Sequence, residues 1–114
     1  MDVLPIAIGI EVEGGAFAPL VGANTRIPAK ASRIFTNARD GQESVLVHVL
    51  QGGAGLAEDN TSLGHFELPL PPLPRGVARV EVAFEVDASG ILHVEALDVS
   101  EEARREVEFT PLGK

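Results

Sequence analysis

The sequence predicts an all-β fold, an antiparallel β-sandwich, and three observations carry that prediction. Apolar residues recur with a period of two: Ile6, Ile8, Ile10 and Val12 alternate with Ala7, Gly9, Glu11 and Glu13, and Val80, Val82, Phe84 and Val86 alternate with Arg79, Glu81, Ala83 and Glu85. That is the period of a strand with one face in a core. Reversal signals interrupt these runs at short intervals, at Gly14-Gly15, Asp40-Gly41 and Asp87-Ala88-Ser89-Gly90. No long stretch carries a helical period, and short strands at such spacing form sandwiches.

Taken in order, Asp2-Val3-Leu4 reads as the tail of a linker, so residues 1–4 are set apart from a domain at 5–114. The first strand follows from Ile6. Gly14-Gly15 supplies the positive φ angles of a tight turn. Ala16 to Val21 returns, and Pro19, which lacks an N–H, places that run at a sheet edge or bend. Gly22-Ala23-Asn24 turns again, and a short extended run from Thr25 leads to Pro28. Ile34 to Gly52 then reads as a hairpin: Ala31 to Thr36 is its first arm, Asp40-Gly41 its reversal and Val45 to Leu50 its second arm. In that second arm Val45, Val47 and Val49 alternate with Leu46, His48 and Leu50, so both faces are mostly apolar. One of them must be covered by something other than water.

Leu56 to Leu63 is polar and irregular, and Gly64 to Leu68 is a short strand. The proline-rich segment Pro69 to Gly76 cannot donate a full ladder of hydrogen bonds and runs as an extended connector. Arg79 to Val86 and Ile91 to Leu97 form a second hairpin about Asp87–Gly90. Ser100 to Arg105 combines an N-cap residue with good helix formers, enough for about one turn of helix, which bridges to a last strand at Glu106 to Thr110.

A chain of 114 residues is one domain with room for its own core. Cysteine is absent, which excludes disulfides and thiolate sites and suits a reducing compartment, so a cytoplasmic location is expected. The apolar runs are far shorter than a membrane span, and no basic start leads into an apolar stretch. A net charge of −8 with no Trp or Tyr argues against nucleic acid and favours basic or mixed apolar and basic ligands.

Candidate chemistry is sparse. Gly53-Ala54-Gly55 lacks the third glycine and the long helix of a dinucleotide site. Asp87, Ser89 and Gly90 lie between strands rather than helices, so a plain turn is preferred to a calcium loop. His48, His65 and His93 fall on three different strands without metal-ligand spacing and read as surface or strand-packing histidines. Asn60-Thr61-Ser62 is a polar turn. No catalytic or metal-binding residue is assigned. What remains is surplus apolar surface around Ile8, Ile10, Phe35, Val45 and Val47, which is either sandwich core or the wall of a binding groove.

Several segments carry a family resemblance: Asp-Val-Leu-Pro-Ile-Ala-Ile-Gly-Ile-Glu from Asp2, Asn-Thr-Arg-Ile-Pro from Asn24, Val-His-Val-Leu-Gln-Gly from Val47, Asp-Asn-Thr-Ser-Leu-Gly-His-Phe from Asp59, Pro-Arg-Gly from Pro74, and Phe-Glu-Val-Asp-Ala-Ser-Gly-Ile-Leu-His-Val from Phe84. In order and spacing they resemble the peptide-binding β-sandwich of the seventy-kilodalton heat-shock chaperones, the DnaK type. The resemblance implies that an extended apolar peptide threads a channel between loops at one end of the sandwich. Its matching lining positions are Ile8, Ile10, Val12, Phe35, Thr36, Val45, Val47 and Val80, with Val45 at the floor of a central pocket. Ala38 matches one half of an arch over the peptide, and Gln42 and Ser44 match positions near its main chain. Glu13 occupies the other arch position, where the family usually has an apolar or small residue such as Met or Ala. The connector before Arg75 is one residue shorter than in common members, and Glu102 replaces a turn glycine.

The resemblance also implies a nucleotide-binding domain before Asp2 and a helical lid after Lys114, neither of which is in this sequence. Enzymatic activity is therefore not expected of it, and ATP and Mg belong to the upstream domain alone. The implied function is that of a molecular chaperone's substrate-binding domain, concerned with protein folding and the stress response, that holds unfolded polypeptides. The implied partners are apolar peptides, with basic flanks where Glu13 can reach them, the upstream domain and co-chaperones. Weak self-association through capture of a terminus in the open groove is a further expectation. Two alternatives stay open: a client-specialised domain, of the iron-sulfur-assembly type or a docking module, and a purely structural sandwich.

Overall fold

In the computed structural model, which describes residues 3–99 and 104–111, the chain forms two four-stranded antiparallel sheets and a small two-stranded one. The strands are β1 (Val3–Leu4), β2 (Ile8–Val12), β3 (Ala16–Val21), β4 (Thr25–Arg26), β5 (Ala29–Phe35), β6 (Ser44–Gln51), β7 (Thr61–Pro69), β8 (Val80–Val86), β9 (Leu92–Asp98) and β10 (Arg104–Phe109), with a single 3₁₀ turn at Ala57–Asp59. One sheet has the order β3-β2-β6-β7, the other β10-β9-β8-β5, and β1 pairs with β4. The predicted all-β sandwich is the observed architecture.

The core follows from the alternation. Ile8, Ile10, Val47, Val49, Phe66 and Leu68 from the first sheet meet Val80, Val82, Phe84, Val86, Leu92, Val94 and Ala96 from the second. Each Val, Leu, Ile or Phe among them, fully buried, contributes about 1.5–3 kcal/mol of transfer free energy. Pro19 lies in β3, an edge strand, where its missing N–H leaves no ladder bond unmade. At Gly9 the pairing of β2 with β3 shifts register, and a Cβ there would overlap the carbonyl oxygen of Ala18. Only a glycine lets the two backbones approach so closely. At the N-terminal end, Leu4 of the stretch read as a linker is buried, and β1 pairs through Leu4 with Thr25.

The predicted hairpin at Ile34–Gly52 is corrected. β5 pairs with β8 from Ala29↔Val86 to Phe35↔Val80, whereas β6 pairs with β2 and β7. The two arms therefore lie in different sheets. Asp40-Gly41 does reverse the chain, with Gly41 at φ 67°, but that signal reports a local change of direction and not the sheet that receives the next strand. Residues 36–43 are long enough to cross the roughly 10 Å between packed sheets, and each arm thereby turns one face to the core, that of β5 only half-buried. The second apolar face of β6 is disposed of piecemeal: Leu50 is buried, Leu46 is exposed, and His48 is engaged by side chains from β2 and β7.

The hairpin β8–β9 is as predicted, its turn closed by Asp87 and Gly90. The helical turn expected at Ser100–Arg105 falls largely outside the described residues, as does Glu102, and its last two residues are strand: Arg104 and Arg105 begin β10, paired with Leu97 and Ala96. A strand ladder satisfies their backbone groups, which an isolated turn would leave to water.

The β8–β9 turn is also electrostatically built. Asp87 Oδ1 accepts the N–H groups of Ser89 and Ile91 at 2.9 and 3.0 Å. His93 Nε2 lies 3.0 Å from Asp87 Oδ2, and His93 Nδ1 lies 3.4 Å from Glu108 Oε1 on β10. The hydrogen bond to Asp87, helped by the charges of Glu108 and Glu85, holds the imidazole above its ordinary range against the opposing effect of desolvation. The bond from His93, then that from the Ile91 N–H, holds the Asp87 carboxyl below its own range. Stability from a raised histidine is complete below about pH 6.5 and fades as pH rises through the raised value. Stability from a lowered aspartate is complete above about pH 3.9 and fades as pH falls through the lowered value. His93→Gln should therefore depress the melting temperature most near pH 5, with the gap to the parent chain narrowing by pH 8; thermal unfolding followed by circular dichroism at the two pH values checks this.

Candidate functional site

At one end of the sandwich the two sheets part, and a cavity of about 500 Å³ opens between them. Its deepest residues are Ile10 on β2, Val47 on β6 and Val82 on β8, all buried. Above them Val12, Phe35 and Val45 are half-buried and line the walls. These positions result from strand phase: Ile10 and Val12 share the inward face of β2, as Val45 and Val47 share that of β6. The rim is polar, formed by Glu11 and Glu13 at the end of β2, Thr36 to Ala38 and Gln42 in the crossing segment, and Arg75-Gly76 in the connector.

The sequence-predicted residues Ile10, Val12, Glu13, Phe35, Thr36, Ala38, Gln42, Val45 and Val47 thus converge on one cavity. Ile8, Val80 and Ser44 lie outside its wall. Ile8 and Val80 are wholly inaccessible members of the core: alternation reports which face a side chain takes, not how far from the open end it sits. Ser44 takes part through its main chain, its carbonyl accepting the Gln42 Nε2 amide at 2.7 Å. Gln42 Oε1 in turn accepts the Ala38 N–H at 2.9 Å, so Gln42 braces the loop from inside with both ends of its amide.

The residue that sequence reasoning missed is Asn37. Its side chain is only 2 % exposed. Nδ2 donates to the carbonyl oxygens of Arg39, Leu73 and Pro74 at 3.0, 3.1 and 3.0 Å, and Oδ1 accepts the Ala78 N–H at 3.1 Å. Its main-chain carbonyl accepts the Gly76 N–H at 3.1 Å. The crossing segment is tied to the connector at three further points. Asp40 Oδ1 accepts the Arg75 N–H at 2.7 Å, Gly41 N–H donates to Leu73 O at 3.0 Å, and Leu70 N–H donates to Glu43 O at 2.8 Å. The available signal was a proline-rich connector whose carbonyls need donors from elsewhere, but nothing local to Asn37 points to them. Of the other lining residues not assigned from sequence, Glu11, Leu46, Arg75, Gly76 and Val82, Val82 follows from extending the inward face of β8 beyond Val80.

On the outer face of the first sheet, Glu11 Oε1 lies 2.9 Å from His48 Nδ1, and Ser62 Oγ lies 2.8 Å from His48 Nε2. His65 stands edge-on to His48 with ring centroids 6.3 Å apart. These are strand-packing roles. Among the described residues no group of three or more His, Cys, Asp or Glu is placed to hold a metal ion. A cavity of similar size, about 510 Å³, lies on the second sheet and is lined by Lys30, Ser32, Glu81, Glu85, Glu95 and Glu106 among others. What sets the end cavity apart is a continuous apolar wall running from its rim into the core.

A family model described as Hsp70 protein matches residues 1–113 of this sequence. The chain belongs to the Hsp70 family. Among curated relatives, the chaperone protein DnaK of Picrophilus torridus is 48% identical over 115 aligned residues, which cover 100% of this chain and 19% of that protein. The chaperone protein DnaK of Methanothermobacter thermautotrophicus is 48% identical over an alignment of the same length and coverage. The chain spans about a fifth of the length of these relatives. Within the Hsp70 family it is an all-β segment whose site offers apolar surface and hydrogen-bonding groups rather than a nucleophile paired with a base.

Proposed function

We propose that this chain is the substrate-binding module of a chaperone, and that the end cavity holds extended apolar segments of unfolded polypeptides. The observation that carries the reading is the unbroken apolar wall of Val12, Phe35 and Val45 above Ile10, Val47 and Val82, opening to solvent beneath a polar rim. An apolar side chain of leucine size buried there gains about 1.5–3 kcal/mol, and each main-chain hydrogen bond nets about 0.5–1.5 kcal/mol. A few of each, less the cost of ordering the peptide, gives affinity on the order of micromolar. Selectivity is then for apolar side chains on an extended backbone, not for one sequence. In this reading Ala38 and Glu13 flank the bound backbone, and Ser44 acts near it through its main chain. A nucleotide-binding domain using ATP and Mg, co-chaperones, a cytoplasmic setting and weak capture of a neighbour's terminus complete the proposal.

Exposed Glu13 on the rim favours a second reading, a domain specialised for one client or docking partner. Fluorescence anisotropy with arrayed apolar peptides, with and without basic flanks, separates the two. Broad micromolar binding supports general substrate holding, a single narrow hit supports specialisation, and no binding leaves a purely structural sandwich.

Val45→Phe should fill the pocket and abolish peptide binding while unfolding stays cooperative; unchanged affinity in that variant would remove Val45 from the site. Glu13→Met should tighten binding of apolar peptides and weaken that of basic-flanked ones. The second effect should shrink at high salt because a rim charge is screened within about 8 Å at physiological ionic strength, so titrations at two salt concentrations check the assignment.

A further inference from the structure

The width of the cavity mouth depends on how two segments far apart in sequence are held together. One carries Ala38 and Gln42, the other Arg75 and Gly76, and all four residues line the cavity. Neither segment belongs to a sheet, so no ladder of strand hydrogen bonds fixes their separation. The bonds of Asn37 span the gap: its side chain grips Leu73 and Pro74 of the connector, Ala78 just beyond it and Arg39 of its own loop.

We propose, building on the peptide-holding reading above, that Asn37 is a positioning residue that sets the rate at which peptide leaves. Its carboxamide is engaged with protein main chain at both ends, with no donor turned to a ligand, and it is almost wholly buried. It acts through its neighbours. Ala38, the next residue, stands at the rim with its N–H on Gln42, and Gly76 stands at the rim with its N–H on the Asn37 carbonyl. Loosening Asn37 lets the mouth widen and close without unmaking either sheet. Asp40 is an exposed, weaker second link in the same seam, through the Arg75 N–H. An apolar or small residue at position 37 would leave the Ala78 N–H and the connector carbonyls without these partners, a costly arrangement at a buried position.

The test uses the 114-residue chain and a fluorescein-labelled leucine-rich peptide, with stopped-flow association and dissociation and hydrogen exchange of the free protein. Asn37→Ala should raise the dissociation rate about tenfold, the equivalent of one or two net hydrogen bonds, with the association rate changed little. It should speed amide exchange across residues 38–43 and 73–78 but not in β2 or β8. Asp40→Ala, which removes one exposed bond and tests the seam if Asn37→Ala does not fold, should shift both readouts in the same direction by less. Asp40→Asn keeps an acceptor for the Arg75 N–H and should behave as the parent chain. A residue that only stabilises the fold would lower the melting temperature and leave the dissociation rate alone. Unchanged dissociation in the folded variants, with peptide still bound by the parent chain, overturns the inference. No binding by the parent chain overturns the peptide-holding reading and this inference together.

Discussion

A carboxamide with almost no access to water holds the open end of this sandwich together. The chain must leave one sheet at Phe35 and enter the other at Ser44, and a segment crossing between sheets has no strand partner for its backbone groups. Buried polar groups without partners are expensive, so the crossing is feasible only if something supplies donors and acceptors at that point. Asn37 supplies both, and its partners lie in a connector whose prolines cannot donate for themselves. The arrangement of the loops at the rim follows from that meeting of two segments that cannot satisfy themselves alone.

Much of the fold is legible in the sequence because a strand with one buried face has to write its burial at every second residue. β8 and β9 are read correctly for that reason, β2 is read with its start two residues early, at Ile6 and not Ile8, and the β8–β9 turn is read because Asp87 and Gly90 carry the chemistry of a reversal. The pairing of strands is another matter. Asp40-Gly41 is as strong a turn signal as Asp87–Gly90, yet one joins neighbours in a sheet and the other joins two sheets. Local residues set the direction of the chain, while the receiving sheet is chosen by which faces remain to be covered, a property of all the strands together. β10 shows the same limit, since Arg104 and Arg105 have helical propensity and are strand because β9 offers them a ladder.

The candidate site is legible to the extent that it is made of strand phase. Val12, Phe35, Val45 and Val47 fall on inward faces and so onto the cavity wall. Ile8 and Val80 have the same phase and lie in the core, because distance from the open end is set by where the sheets diverge, which no alternation records. Asn37 is the opposite case. A single polar residue in a polar run looks like a turn residue, and its importance appears only when the connector, distant in sequence, is brought alongside.

The division between apolar wall and polar rim bears on what the cavity can select. Glu11 is tied to His48, which leaves Glu13 as the exposed carboxylate at the end of β2, while Arg75 places a cation in the same lining. Exposed charge pairs contribute about 0–1 kcal/mol, less than one apolar side chain moved out of water. In the proposed reading the wall therefore governs whether a segment stays, and the rim governs how it arrives and which flanks it tolerates. For one client to be singled out, the rim would have to add to the wall more than the small contribution of a single solvated carboxylate. In the proposed reading the cavity holds apolar segments broadly with a modest preference for basic neighbours, and the hydrogen-bonded seam, rather than the charge, controls how long they stay.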